Sequence, residues 1–280
     1  MKSLPEINAI PIFEEAQSEL IVLLKSLSAE EWEYETSSTI WNVKDIAAHL
    51  LDGDLRRLSL HRDQHKLSDP SDPITDYESL VDFLNGLNNL WVRAAKRLSP
   101  LLIIELTEFT TPEAVQHFKD LDPKGLALFS VAWAGEQESE NWFDIAREYT
   151  EKWHHQQQIR EAVRRPLLIE EKWLSPLINT LIRGVPPVYN KFAAGIDSEN
   201  IGIYISDVIE GSWLLASEEN QWRLMKSKNM ETDTTIEMDD DTAWRLFTKN
   251  ITEEEAIKRI RVSGNQKLGN LIAKTVSFMK

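Results

Sequence analysis

Hydrophobic residues return every three or four positions through most of the first half of the chain. Ile12, Phe13, Ala16, Leu20, Leu23 and Leu24 share one stripe and predict a helix ending near Ser26. A second helix is predicted after Trp41, with Asn42 as its cap and Asp45 in its first turn. Val43, Ile46, Ala47, Leu50, Leu51 and Leu58 form its buried stripe, and it carries His49. The proline- and aspartate-rich run 68–76 reads as a loop, and periodicity resumes from Tyr77 to Leu98 through Leu80, Leu84, Leu87, Trp91 and Ala95. Between Pro100 and Gly135 the pattern loosens: TPEAVQHF reads as a short helix and LALFSVAWA as a strand. A fourth long helix is predicted from Glu138 to Val163 and ends before Pro166.

After Pro166 the period changes. A helical piece near Leu174 to Ile182 is followed by Gly184 and the Pro186-Pro187 pair, which read as a connection. From Ile201 onward the segments IGIYISDV, GSWLLAS, QWRLMKS and TTIEMD are short, apolar and separated by turn residues, the pattern of antiparallel strands. Two helices, a short strand and a closing helix follow. The predicted class is therefore α+β, with a four-helix bundle over 1–166, a connecting segment over 167–200 and a smaller α+β domain over 201–280.

Composition narrows the function. Lys and Arg number 31 against 46 Asp and Glu, a net charge of −15 that repels phosphate backbones and anionic membranes, so neither nucleic acid nor a membrane is expected as a partner. There is no cysteine, which excludes disulfides, zinc-thiolate clusters and a cysteine nucleophile; a thiol, if the chemistry needs one, comes from outside. The first twenty residues lack a basic segment followed by an apolar core, and a cytoplasmic location is expected. No glycine-rich phosphate loop is present, and no serine sits in a Gly-x-Ser-x-Gly setting.

The candidate chemistry lies among the six histidines. In EKWHHQQQIREA, Glu151 and His155 stand four apart, about 40° around a helix and roughly 6 Å along it, so both can reach one metal ion. Glu151 and His154 could do the same, and spacing alone leaves both pairs open. His49 shares a helix face with Ile46, Leu50 and Gly53, points toward the interior and is the natural third ligand, with Gly53 leaving room beside it and Arg56 projecting from the same face. Two imidazoles and a carboxylate suit zinc, iron, nickel or manganese and leave positions for water or substrate. His61, His65 and His117 stand in polar stretches and read as solvated.

The run Trp41-Asn42-Val43-Lys44-Asp45-Ile46-Ala47-Ala48-His49-Leu50-Leu51-Asp52-Gly53 resembles the second-helix motif of DinB-like proteins, and within them the mycothiol-dependent maleylpyruvate isomerase family, where a Trp precedes a metal-binding His by eight residues. Glu151-Lys152-Trp153-His154-His155 is similar to that family's Glu-x-Trp-x-His segment, whose first and last residues are ligands. This resemblance selects His155 over His154. Asp241 to Thr248, Val262-Ser263-Gly264-Asn265 and the closing helix resemble the family's sterol-carrier-like C-terminal domain.

The resemblance implies a divalent metal, usually zinc, held by His49, Glu151 and His155, and a low-molecular-weight thiol cofactor that adds to a substrate double bond, lets it rotate and leaves. One position departs. Better-known members carry an aspartate three residues after the last ligand, and here it is Gln158, which can hydrogen-bond but cannot act as a base. Gln158, Arg56 and Arg160 are the candidates for orienting ligand or substrate. The expected function is a thiol-using isomerase or transferase acting on a small electrophilic molecule. A non-catalytic small-ligand-binding protein and a metal-dependent hydrolase are the alternatives.

Overall fold

A computed structural model describes residues 4–38, 40–66, 74–196, 198–226 and 231–277. The chain divides into two compact units. One gathers Asn8–Leu128 with Glu148–Leu168; the other gathers Phe129–Arg147 with the chain from Ile169 onward and the segment preceding Asn8.

The first unit is helical. α1 (Ile10–Ser26) begins with Pro11 in its first turn, where the missing N–H costs nothing, and buries Phe13, Ala16, Gln17, Leu20, Leu23 and Leu24. α2 (Val43–Arg56) is opened by a capping box: Asn42 Oδ1 accepts from the Asp45 N–H at 2.9 Å, and Asp45 reaches back to the Asn42 N–H at 3.4 Å. It runs on into a six-residue π-helical segment, Arg57–Arg62. α3 (Tyr77–Ala95) is capped by Asp76, α4 (Pro100–Asp120) by Ser99, and α5 (Asn141–Ala162) supplies its residues from Glu148 on to this unit. Of the predicted loop 68–76, residues 68–73 lie outside the described residues.

α4 corrects the expected mixed region. It is a fifth long helix of 21 residues rather than a short one, and it packs on α1 and α2. Pro112 and the threonines Thr107, Thr110 and Thr111 hide it from propensity. In the structure the Thr107 and Thr110 hydroxyls donate to the carbonyls of Ile103 and Leu106, one turn back, so the helix absorbs these polar groups. The LALFSVAWA stretch is likewise no strand; it is a bent loop with a single bridging residue, Leu126, followed by a 3₁₀ turn at Ala132–Ala134. The bundle core joins Leu20, Leu24, Val43, Ile46, Leu50, Ile103 and Ile159, each buried. Every such side chain contributes roughly 1.5–3 kcal/mol by leaving water.

The second unit is built on a five-stranded sheet in the order β3-β2-β1-β4-β5, from β1 (Asn200–Ser206), β2 (Glu210–Glu218), β3 (Gln221–Lys226), β4 (Thr234–Met238) and β5 (Arg261–Ser263). The β1–β2, β2–β3 and β4–β5 pairs are antiparallel, but β4 lies along β1 in parallel, with Ile203 opposite Ile236. This corrects the all-antiparallel expectation: alternation reports which side chains are buried, not the direction of the neighbouring strand.

The expected connection at 167–200 is also more structured than its punctuation suggests. α6 (Glu171–Leu181) buries Trp173, Leu174, Leu177, Ile178 and Leu181, and α7 (Val185–Phe192) takes Pro186-Pro187 into its first turn, where prolines start a helix instead of breaking one. α7 packs on β3: Asn190 Oδ1 accepts from the Trp222 N–H at 2.8 Å, and the Tyr189 and Trp222 rings lie 5.2 Å apart. Gly184 is required between α6 and α7, because a Cβ there would stand 2.3 Å from Ser277 Oγ. α8 (Asp240–Phe247), α9 (Glu253–Arg259), α10 (Gln266–Gly269) and a 3₁₀ turn at Asn270–Lys274 complete the unit. The class is α+β, a helical N-terminal region followed by a sheet domain. Among the described residues, no helix is long and apolar enough to cross a membrane.

Candidate metal centre

The α2 capping box fixes the first turn of that helix, and His49 stands one turn beyond Asp45. The backbone beside it is pinned from α3, whose Trp91 Nε1–H donates to the Ala48 carbonyl at 2.7 Å. Trp41, just before the cap, lays its ring 4.8 Å from the His49 ring and 6.2 Å from that of His155. From α5, His155 Nε2 lies 3.5 Å from Glu151 Oε2. The His49 and His155 rings are 4.8 Å apart at 79°. One ligand atom from each of His49, Glu151 and His155 lies within 4.8 Å of the others. A tetrahedral ion with bonds near 2.0–2.1 Å sets neighbouring ligand atoms roughly 3.3 Å apart.

The donor chemistry fits such an ion. His49 Nδ1 is buried and has no hydrogen-bond partner among the described residues. Burial holds its imidazole well below the ordinary 6.5, and the charges of His155, Arg56 and Lys152 push the same way, so the ring is neutral and able to donate a lone pair. His155 Nδ1 lies 2.8 Å from Gln158 Oε1. A carbonyl oxygen only accepts, so Nδ1 carries the proton and Nε2, the nitrogen facing Glu151, keeps the free lone pair.

The remaining sequence candidates separate by position. Gln158 meets the cluster through His155. Arg56 makes an ion pair with Asp52 at 2.9 Å and donates to Asn88 Oδ1 at 3.3 Å, within electrostatic reach of His49. Arg160 is turned away, toward Glu19 of α1 at 3.0 Å and the Pro166 carbonyl at 2.9 Å, so it joins helices and not the cluster. His154 is buried against the His155 ring at 5.2 Å and is outside the three-ligand group. The room at Gly53 lies beside Glu148 and Lys152, not beside His49: a Cβ there would stand 3.3 Å from Glu148 Oε1 and 3.6 Å from Lys152 Cε, which brings α2 and α5 close together.

Sequence reasoning missed the polar network next to the ligands. Lys152 Nζ reaches Asp54 Oδ1 at 2.7 Å and the Leu50 carbonyl, and Thr111 Oγ1 donates to Asp54 Oδ2 at 2.9 Å. Lys152 and Asp54 are both almost fully buried. The signal was present in the pattern, since each sits on the interior stripe of its helix and one charge there demands another.

The family model for the mycothiol maleylpyruvate isomerase N-terminal domain matches residues 13–160, more than half of the chain, and that span contains all three ligand candidates. The chain belongs to the mycothiol-dependent maleylpyruvate isomerase family. Crystal structures of the mycothiol-dependent maleylpyruvate isomerase and of a mutant form of it are similar at a TM-score of 0.53, with 11% and 10% identity, covering 94% of this chain and 96% of theirs. At that identity the likeness is one of fold, and it extends over both units. The solution structure of the sterol carrier protein domain 2 of Helicoverpa armigera matches at a TM-score of 0.25 and 16% identity, over 37% of this chain and 80% of that one. None of the curated proteins matches the sequence. Within the maleylpyruvate isomerase family, His49, Glu151 and His155 are this chain's candidate metal ligands.

Proposed function

We propose that this member of the maleylpyruvate isomerase family is a metal-dependent enzyme that uses an external low-molecular-weight thiol to isomerise, or transfer a group on, a small electrophilic substrate. The observation that carries this reading is the convergence of His49, Glu151 and His155 on one point, with His49 Nδ1 left without a partner. A divalent ion held there, zinc foremost and nickel, iron or manganese as alternatives, would supply the charge that keeps a bound thiol ionised at neutral pH. The chain's own residues would prepare that site. Gln158 holds the tautomer of His155, Trp41 walls one side against water, and Arg56, itself paired with Asp52, keeps a positive charge within electrostatic reach of His49. The absence of cysteine agrees with a thiol that arrives from solution, and this reading carries with it a reducing compartment such as the cytoplasm.

A second reading rests on Gln158. An amide beside the last ligand cannot take up a proton, which favours a protein that captures a small ligand at its metal without turnover. The test begins with thermal shifts in a panel of low-molecular-weight thiols. The enzyme reading expects a rise in melting temperature in the metal-loaded protein only, together with turnover of a conjugated cis double-bond acid in the presence of the same thiol. Thiol binding without turnover supports capture. No response to any thiol removes the thiol-dependent reading.

A further inference from the structure

The sheet-containing unit carries an open groove of about 660 Å³ between the end of α7, the turn from α8 to α9 and the C-terminal 3₁₀ segment. That is the size of a small-ligand site. Phe192, Leu246 and Ile251 give it an apolar lining, and Lys191, Lys249 and Lys274 stand around it. Phe192 is 51% exposed, with Lys191 Nζ 5.3 Å and Lys274 Nζ 5.7 Å from its ring centre.

Two carboxylates share the groove and both are committed. Glu253 pairs with Lys274 at 2.8 Å, and Glu255 accepts from the Thr252 N–H and hydroxyl at 2.8 and 2.9 Å, closing the capping box in which Thr252 caps α9. Lys191 and Lys249 have no carboxylate partner among the described residues. In a chain of net charge −15 this is a local positive excess with an apolar surface at its centre.

Lys249 is held there by an unusual backbone. It follows α8 at φ 57°, with its N–H on the Leu246 carbonyl at 3.1 Å and the Asn250 N–H on the Arg245 carbonyl at 2.7 Å. That is the helix-ending position where glycine is favoured, and a lysine occupies it against its own conformational preference.

The geometry points to a binding site for a small aromatic carboxylate: the Lys191 and Lys249 ammonium groups hold the carboxylate, and the ring lies against Phe192, Leu246 and Ile251. Ammonium donors hold an anion as point charges without selecting its shape, and the exposed Phe192 ring suits a flat partner, so the fit is to an aromatic ring that carries an anionic group. This inference does not rest on the thiol chemistry of the metal centre.

The experiment is isothermal titration of the full-length, metal-loaded protein with 2-naphthoate, alongside the neutral isostere 2-naphthylmethanol. Naphthoate is expected to bind with an affinity that falls as salt rises, while the alcohol binds more weakly. The double substitution Lys191→Gln/Lys249→Gln should weaken naphthoate by about tenfold, the scale of two exposed charge pairs. Phe192→Ala should weaken both compounds. The His49→Ala protein separates this groove from carboxylate capture at the metal: groove binding persists there, and binding lost with His49 overturns the inference. It is equally overturned if naphthoate does not bind, if the double lysine substitution leaves its affinity unchanged, or if the alcohol binds as well as the acid.

Discussion

The Nδ1–H of His155 is directed at the side-chain carbonyl of Gln158, 2.8 Å away on the same helix. That bond turns the other ring nitrogen toward Glu151 and His49. Gln158 thus serves the candidate site, because it selects the tautomer that His155 would need as a ligand. Gln158→Leu should lower metal affinity by about ten- to a hundredfold, as loss of an outer hydrogen-bond partner does, whereas Gln158→Glu, which still accepts from Nδ1–H, should stay close to the native affinity. Competition titration with a chromophoric chelator measures both.

The ligand set makes a sharper demand. His49→Ala, Glu151→Ala and His155→Ala should each abolish stoichiometric metal in the purified protein, and His154→Ala should keep it even if its buried ring makes that variant less stable. Elemental analysis of the four proteins decides, and retention of metal in the first three would remove the assignment.

Stability should depend on the network beside the ligands. Asp54→Asn leaves the buried Lys152 ammonium without its charge partner and is expected to cost about 3–5 kcal/mol in urea unfolding. Replacing both, Lys152→Met with Asp54→Leu, should recover most of that loss, because two apolar groups of similar volume carry no desolvation penalty. A double variant no more stable than the single one would show that the pair is needed for its geometry.

His117 provides a pH-dependent contribution away from the metal. Its polar surroundings in the sequence suggest a solvated ring, but it is half-buried 4.7 Å from the His61 ring, and its pKa is held below 6.5 by burial and then by Arg57 and Arg62, with Asp120 and Asp63 opposing. As pH falls below about 6.5 the unfolded chain takes up this proton first, so the contribution is present above that value and is lost on acidification toward the lower folded value. Melting temperatures of the metal-loaded protein and of His117→Asn, compared from neutral to mildly acidic pH, should show a shallower decline in the variant.

Legibility in the sequence followed the physics of each signal. α2 was readable to its first residue because an Asn cap with an Asp three positions on has one structural meaning, whereas helical spacing put Glu151 within reach of His154 and His155 alike and the family motif chose His155. That His49 faces the interior was legible from the helix face it shares with Ile46 and Leu50, while its meeting with the α5 residues depends on how the two helices pack, and there the family motif agreed with the face. α4 was lost because Pro112 and three threonines argue against a helix until tertiary packing overrides propensity. The parallel β1–β4 pairing and the helix begun at Pro186-Pro187 were lost for a related reason: burial and punctuation are written in the chain, while the direction of a neighbour is not.

The indole of Trp41, tilted beside the candidate ligands His49 and His155, would make metal binding there optically visible. A paramagnetic ion such as copper(II) placed among those side chains would quench the emission of this ring by a short-range mechanism and leave indoles elsewhere in the chain brighter. The protein therefore carries its own indicator of occupancy, and Trp41→Phe supplies the blank against which that signal is read.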